Sequence, residues 1–268
     1  MDLVSIVNVA LLSLLNMNNF PYDYNDATIY TPVGTAIGVY DITEELPIYY
    51  IYDLIDDTED DYPGNVLMGL PSIKYNCHSY AWYKQKPNER NYWLEYESPF
   101  YTDGSYIEVS YENVQPGDRV CYFDSLNMNV HSAIVTRKLS AFSTGGTVLN
   151  YADLIEIDSK WGEAGLYSGR GDTTPYTPNN GGSASYLRFY HYNYSHTHSY
   201  TYTQISGDAE YHTAECSCVF FYQKHSYSFV YINVYSSIGG DEQQYLVPAY
   251  KCTKCNYITY IEEEYNYV

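Results

Sequence analysis

Hydrophobic and polar positions divide the chain into stretches of different period. Residues 3 to 15, LVSIVNVALLSLL, are one apolar run. It is too short to span a bilayer and about the length of the hydrophobic region of a secretory signal. Asp2 precedes it, however, and the first basic residue is Lys74, so the positive flank of a signal is missing. An apolar helix packed on the core fits the run equally well. No other stretch could span a bilayer. From Asn16 to Pro71 the chain is polar and acidic, apart from PIYYIYDLI, and the run Asp56, Asp57, Glu59, Asp60, Asp61 reads as a solvated loop. Between Pro71 and Pro87, NCHSYAWY predicts a short helix starting near Cys77. YIEVSY, the Pro116-Gly117-Asp118 turn, RVCYF, HSAIVTR, TVLNY and LIEID predict an antiparallel sheet over residues 105 to 158. Gly and Pro crowd residues 162 to 182, a long loop. After Ser185 Tyr alternates with polar residues, the period of strands with one aromatic face.

The expected organisation is therefore a signal-like segment at 1–19, an acidic segment at 20–70, a main domain at 71–194 and a Tyr-rich module at 195–268. Within the last, HSYTYT leading to Cys216-Ser217-Cys218 and HSYSFVY leading to Cys252-Thr253-Lys254-Cys255 form an imperfect repeat.

Charge changes the picture in one respect. The net charge is -20, which argues against nucleic acid as a partner, because phosphate contacts need a dense Lys/Arg surface. Residues 1 to 73 hold twelve of the acids and no Lys or Arg, so the acidity belongs mainly to the first quarter, a candidate lid or propeptide. With 45% hydrophobic residues the chain can build a core, which argues against a disordered acidic tail.

The six cysteines have different settings. A cysteine at a helix start lies where backbone N–H groups favour the thiolate, and Cys77 has that placement. Cys121, mid-strand in RVCYF, reads as an inert buried thiol. A nucleophilic thiol needs a base, and His131, opening HSAIV after a polar loop, is the best placed of seven histidines; His78 is the weaker candidate. Asp158 ends a neighbouring strand, where a carboxylate could orient an imidazole, with Ser159 as the alternative. Trp82 and Trp161, with Trp93, are candidates for lining a substrate groove. Cys216, Cys218, Cys252 and Cys255 are the candidate metal ligands, with His212 and His225 as further soft donors nearby. A structural zinc site is favoured over two disulfides, the other reading of the same cysteines.

The order of a helix-initiating Cys in NCHSYAWY, a PGD turn into a strand and a His-led apolar strand, HSAIV, resembles the papain-like cell-wall hydrolases of the NlpC and CHAP type. SKWGEAGLY is similar to a motif of secreted proteins of low-GC gut bacteria that share the NCHSYAW element. The resemblance spans about residues 71 to 176. It implies an α+β fold, a papain-like helix packed on an antiparallel sheet, followed by the small Cys/His-rich β module. It also implies Cys77 as nucleophile, His131 as base and Asp158 as orienter, no cofactor in catalysis, a peptide or peptidoglycan substrate, and a secreted or cell-surface location. The competing expectation is a non-catalytic surface or adhesion protein whose Tyr-rich strands bind a partner.

Overall fold

The structure is a computed structural model that describes residues 21–83, 91–139, 149–193, 199–216, 219–238 and 241–260. The apolar run at 1–19 and Cys218 lie outside these residues. In chain order the elements are β1 (Tyr24–Tyr30), β2 (Ala36–Ile42), α1 (Ile48–Asp61), β3 (Val66–Gly69), α2 (Cys77–Trp82), α3 (Pro99–Thr102), β4 (Tyr106–Val109), β5 (Arg119–Asp124), β6 (Asn129–Lys138), β7 (Ile155–Lys160), β8 (Leu166–Arg170) and β9 (Ala184–Tyr192). They continue with β10 (Thr201–Gln204), β11 (Tyr211–Cys216), β12 (Val219–Lys224), β13 (Tyr227–Ile238), β14 (Asp241–Cys252) and β15 (Ile258–Tyr260).

This corrects the expected fold class. The protein is mostly antiparallel β, 45% strand against 16% helix in three short helices, so it is not a papain-like α+β fold. Seven strands form the largest sheet in the order β3-β8-β7-β6-β5-β9-β4; β10-β11-β12, β13-β14-β15 and the β1-β2 hairpin form the others. Residues 105 to 158 do supply β4 to β7, but β4 pairs with β9 and β3 with β8, so the sheet draws its edges from distant sequence. The Gly-rich stretch contains β8, and Leu149–Tyr151 is turn rather than strand.

Both faces of the central strands are covered, which explains their near-continuous apolar character. On one face Cys121, Phe123 and Ile134 join Tyr80, Ala81 and Trp82 of α2, Ile29, Ile37 and Val39 of the first hairpin, and Ala214, Val219 and Phe221 of β11 and β12. On the other, Val120, Tyr122, Ala133, Val135 and Ile157 form a second cluster. The acidic segment is thus part of the main core. Its acid run also lies in α1 rather than in a loop. Partly or fully buried Ile51, Leu54, Ile55 and Thr58 recur at helical spacing, so one stripe packs while the acids face water. With acids and no base in the last turn, packing rather than the helix dipole holds α1.

Gly117 of the PGD turn has φ +94, and a Cβ there would lie 2.5 Å from the Tyr200 hydroxyl, so glycine is required twice over. That hydroxyl donates to Pro116 O at 2.6 Å and ties the C-terminal strands to the turn.

Candidate functional site

Asn76 caps α2: its Oδ1 accepts from Ser79 N at 2.9 Å, and its Nδ2 donates to Leu94 O at 2.8 Å. At the other end, buried Arg119 donates from Nε to Ala81 O at 2.9 Å and from Nη1 to Gly117 O at 2.7 Å, satisfying a terminal carbonyl of this six-residue helix. These ties hold Cys77, the first helical residue, at the wall of a cavity of about 560 Å³, lined also by His78, Trp93, Glu97, Tyr101 and Tyr176.

A polar network lies under the thiol. Ser132 Oγ is 2.9 Å from His78 Nδ1 and accepts from Trp82 Nε1 and Asn129 Nδ2 at 3.0 Å each. Asn129 Nδ2 and the Tyr101 hydroxyl both donate to Glu97 Oε1, at 3.0 and 2.9 Å. Cys77 is only 6% exposed. Burial, with the Glu97 carboxylate, pushes its thiol up to about 11, against the opposing pull of the Ser132 and His78 backbone N–H groups.

Strand alternation decides where His131 goes. Ser132 faces α2, so His131 faces the opposite side of the sheet with its cross-strand partner Tyr122. Its ring stacks on Tyr176 at 3.8 Å, and neither nitrogen has a hydrogen-bond partner among the described residues. Burial, with a smaller contribution from His78, holds it neutral, well below its ordinary pKa. Asp158 is paired in register with Ile134 and therefore lies on the α2 side. Its Oδ2 accepts from Tyr222 N of β12 at 2.6 Å, and burial pushes the carboxyl up to about 7. No hydrogen bond joins Cys77, His131 and Asp158. Ser159, the alternative orienter, accepts from Trp161 Nε1 at 2.8 Å.

Trp82 and Trp161 are core residues, packed on Phe100 and Tyr106 and on Tyr167 respectively. Trp93 is the tryptophan on the cavity wall. Sequence reading missed Glu97, Tyr101, Asn129 and Ser132. The last two flank His131 by two and one residues; the two-residue period puts Ser132 and His131 on opposite faces of HSAIV, and the contacts of Ser132 with His78 and Trp82 decide which face meets the helix.

A second polar cluster lies in the C-terminal strands. One ligand atom from each of His212, His225, Cys252 and Cys255 falls within 4.8 Å of the others, and together they could hold a metal ion. His212 comes from β11, His225 follows β12, and the cysteines span the turn after β14. The two His Nδ1 atoms are 3.0 Å apart; Cys252 Sγ is 3.7 Å from His212 Nδ1 and Cys255 Sγ is 3.4 Å from His225 Nδ1. A tetrahedron with metal–nitrogen bonds of about 2.0 Å and metal–sulfur bonds of about 2.3 Å has edges of roughly 3.3–3.8 Å, close to these. Burial resists ionisation of Cys252, but the backbone N–H groups of Cys255 and Lys254 pull it down to about 6. Cys255 is raised by burial and by Cys252, and burial with the His225 charge brings His212 down to about 4. His212 Nε2 lies 3.4 Å from Gln223 Oε1, and Gln223 Nε2 donates to Thr136 O of β6 at 3.0 Å. Cys252 and Cys255 are two of the four expected ligands; Cys216, at the end of β11, is not in this group.

Comparison with protein-family models, with curated proteins and with solved structures gives no match. Among the described residues no helix is long and apolar enough to cross a membrane.

Proposed function

We propose that the chain is a thiol-dependent amide hydrolase working from the Cys77 cavity, with peptides or peptidoglycan at the cell surface as its substrates. The observation that carries this reading is the position of Cys77, on a capped helix start at the wall of a cavity of ligand size beside an imidazole. Cys77 sulfur attacks the amide carbonyl and a C–S bond forms as the thiol proton passes to an imidazole. That imidazole returns the proton to the leaving amine, the C–N bond breaks, and water hydrolyses the thioester to acid and thiol. Of the two imidazoles, His78 is favoured as base: it lines the cavity, Ser132 holds its Nδ1, and its Nε2 makes no hydrogen bond among the described residues. His131, on the other face of its strand and stacked on Tyr176, is the disfavoured one.

Cys77→Ala is expected to abolish both amide hydrolysis and labelling at position 77, and undiminished hydrolysis overturns the reading. His78→Asn and His131→Asn, assayed side by side, assign the base.

The Cys/His cluster is a structural zinc site in this proposal. Two thiolates and two imidazoles suit zinc, and four protein ligands leave no open position for chemistry. Zinc analysis of protein purified without added metal should give one equivalent per chain; none, with Cys252 and Cys255 oxidised, removes the site.

A non-catalytic binder is the second reading. It is favoured by the resting states of Cys77 and His131, thiol and neutral imidazole, and by the exposed aromatic face of Phe229, Tyr231 and Tyr250 on β13 and β14.

A further inference from the structure

The Cys77 cavity carries a charge and a wall chemistry that its proposed use as a hydrolase does not require. Glu95 and Glu97 both line it, and among the described residues no Lys or Arg does. Trp93, Tyr96, Tyr101 and Phe123 supply aromatic walls. The two carboxylates are held in place. Trp93 Nε1 donates to Glu95 Oε1 at 3.0 Å, while Tyr101 and Asn129 fix Glu97 through Oε1 alone.

Glu97 is only 6% exposed, yet among the described residues its Oε2 accepts no hydrogen bond, and His78 Nδ1 lies 3.9 Å away. A carboxylate oxygen in so enclosed a place gains from a charged donor that can reach it. Glu97 lines the cavity, so a donor bound there lies within reach of this carboxylate. Aromatic faces beside a fixed carboxylate are the environment in which an ammonium group recovers its lost hydration, through ring quadrupoles and one charge-assisted hydrogen bond.

We infer that the cavity selects substrates bearing a primary ammonium group, which sits among the aromatic rings and donates to Glu97 Oε2 while the amide lies over Cys77. The inference rests on the hydrolase reading and names the substrate class of the same site. An anionic group at this position would meet two carboxylates.

The test uses three methanethiosulfonate reagents that place a neutral methyl, a trimethylammonium-ethyl or a sulfonatoethyl group on a thiol, with modification at Cys77 followed by peptide mass mapping of the full chain. The cationic reagent is expected to react with Cys77 more than about tenfold faster than the anionic one, within the range that local fields produce. Glu97→Gln should cut that ratio by about fivefold, whereas Glu59→Gln, an exposed acid on α1, should leave it unchanged. A ratio near one, or equal falls in both variants, overturns the inference. If Glu97→Gln does not fold, the wild-type ratio and Glu95→Gln decide the matter in its place.

Protection of Cys77 from the neutral reagent then tells an α-ammonium from a side-chain ammonium. L-alanine amide carries only the first and Nα-acetyl-L-lysine amide only the second. Equal protection by uncharged N-acetyl-L-alanine amide also overturns the inference. Failure of even the neutral reagent to modify Cys77 instead counts against the thiol mechanism itself.

Discussion

Cys77 and Cys252 are both buried thiols set against backbone N–H groups, and their surroundings drive them in opposite directions. Cys252 receives the N–H of Lys254 at 3.5 Å, lies beside two imidazoles, and is drawn down to about 6. Cys77 stands at the start of a helix of only six residues and shares its enclosure with Glu97, and it is pushed up to about 11. A helix start is therefore not enough to make a thiolate: where desolvation and a carboxylate act together, they outweigh a few N–H dipoles. The turn at Cys252 suits a thiolate held permanently by a cation. The Cys77 cavity suits a thiol that ionises only when a bound group changes the local charge.

The first way to break this contrast acts on the C-terminal cluster. Cys252→Ser is expected to lose stoichiometric metal and about 4 kcal/mol of stability, the scale of losing a structural metal ligand, read by metal analysis and chemical denaturation. Chelator should lower the melting temperature of wild type and not of the variant.

The second acts at the seam, where Asp158 of β7 is held by Tyr222 of β12. Its folded pKa, about 7, lies above the unfolded value of about 3.9, so the folded state binds the extra proton. This residue's contribution is therefore fully present below pH 4 and is lost as pH rises through 7, by up to about 4 kcal/mol. Asp158→Asn should flatten that part of the stability-pH profile; an unchanged slope between pH 4 and 7 would show that the carboxyl is not desolvated as described. Lys160, two residues on, is drawn by burial down to about 7 and works in the opposite sense, adding stability as pH rises from 7 towards 10, a separate window.

The smallest expected effect tests the joint between the two regions. Gln223→Ala leaves all four residues of the Cys/His cluster in place but removes the bridge from His212 to Thr136 O, and should weaken metal binding about tenfold, read by competition with a chromogenic chelator.

How much of this was legible in the sequence follows from which contacts are local. The start of α2 at Cys77, the strand RVCYF, the strand HSAIV and the glycine of the PGD turn are set by residues within a few positions, and all lie where the sequence put them. The fold class is set by pairings such as β4 with β9, which no local pattern announces. The cluster ligands show the same division. All four residues were readable as soft donors, but which four of the six candidates meet is decided by strand pairing, which brings His212 and His225 to Cys252 and Cys255 and leaves Cys216 out. His131 fails in a different way: its strand is right, but the faces of that strand alternate, and Ser132 has the side that meets the helix.

The core shared by Ile29, Ile37, Val39 and Phe221 has a consequence for how the chain is made. During synthesis the first hairpin leaves the ribosome long before β11 and β12, which bring Ala214, Val219 and Phe221 to the same core, so that core is completed late. Topologies with such distant contacts close slowly and leave partly folded chains open to association. The twelve acids in residues 1 to 73, with no base among them, give that segment a strong self-repulsion. The charge that looked like a clue to partners is also of the kind that opposes association of incomplete chains.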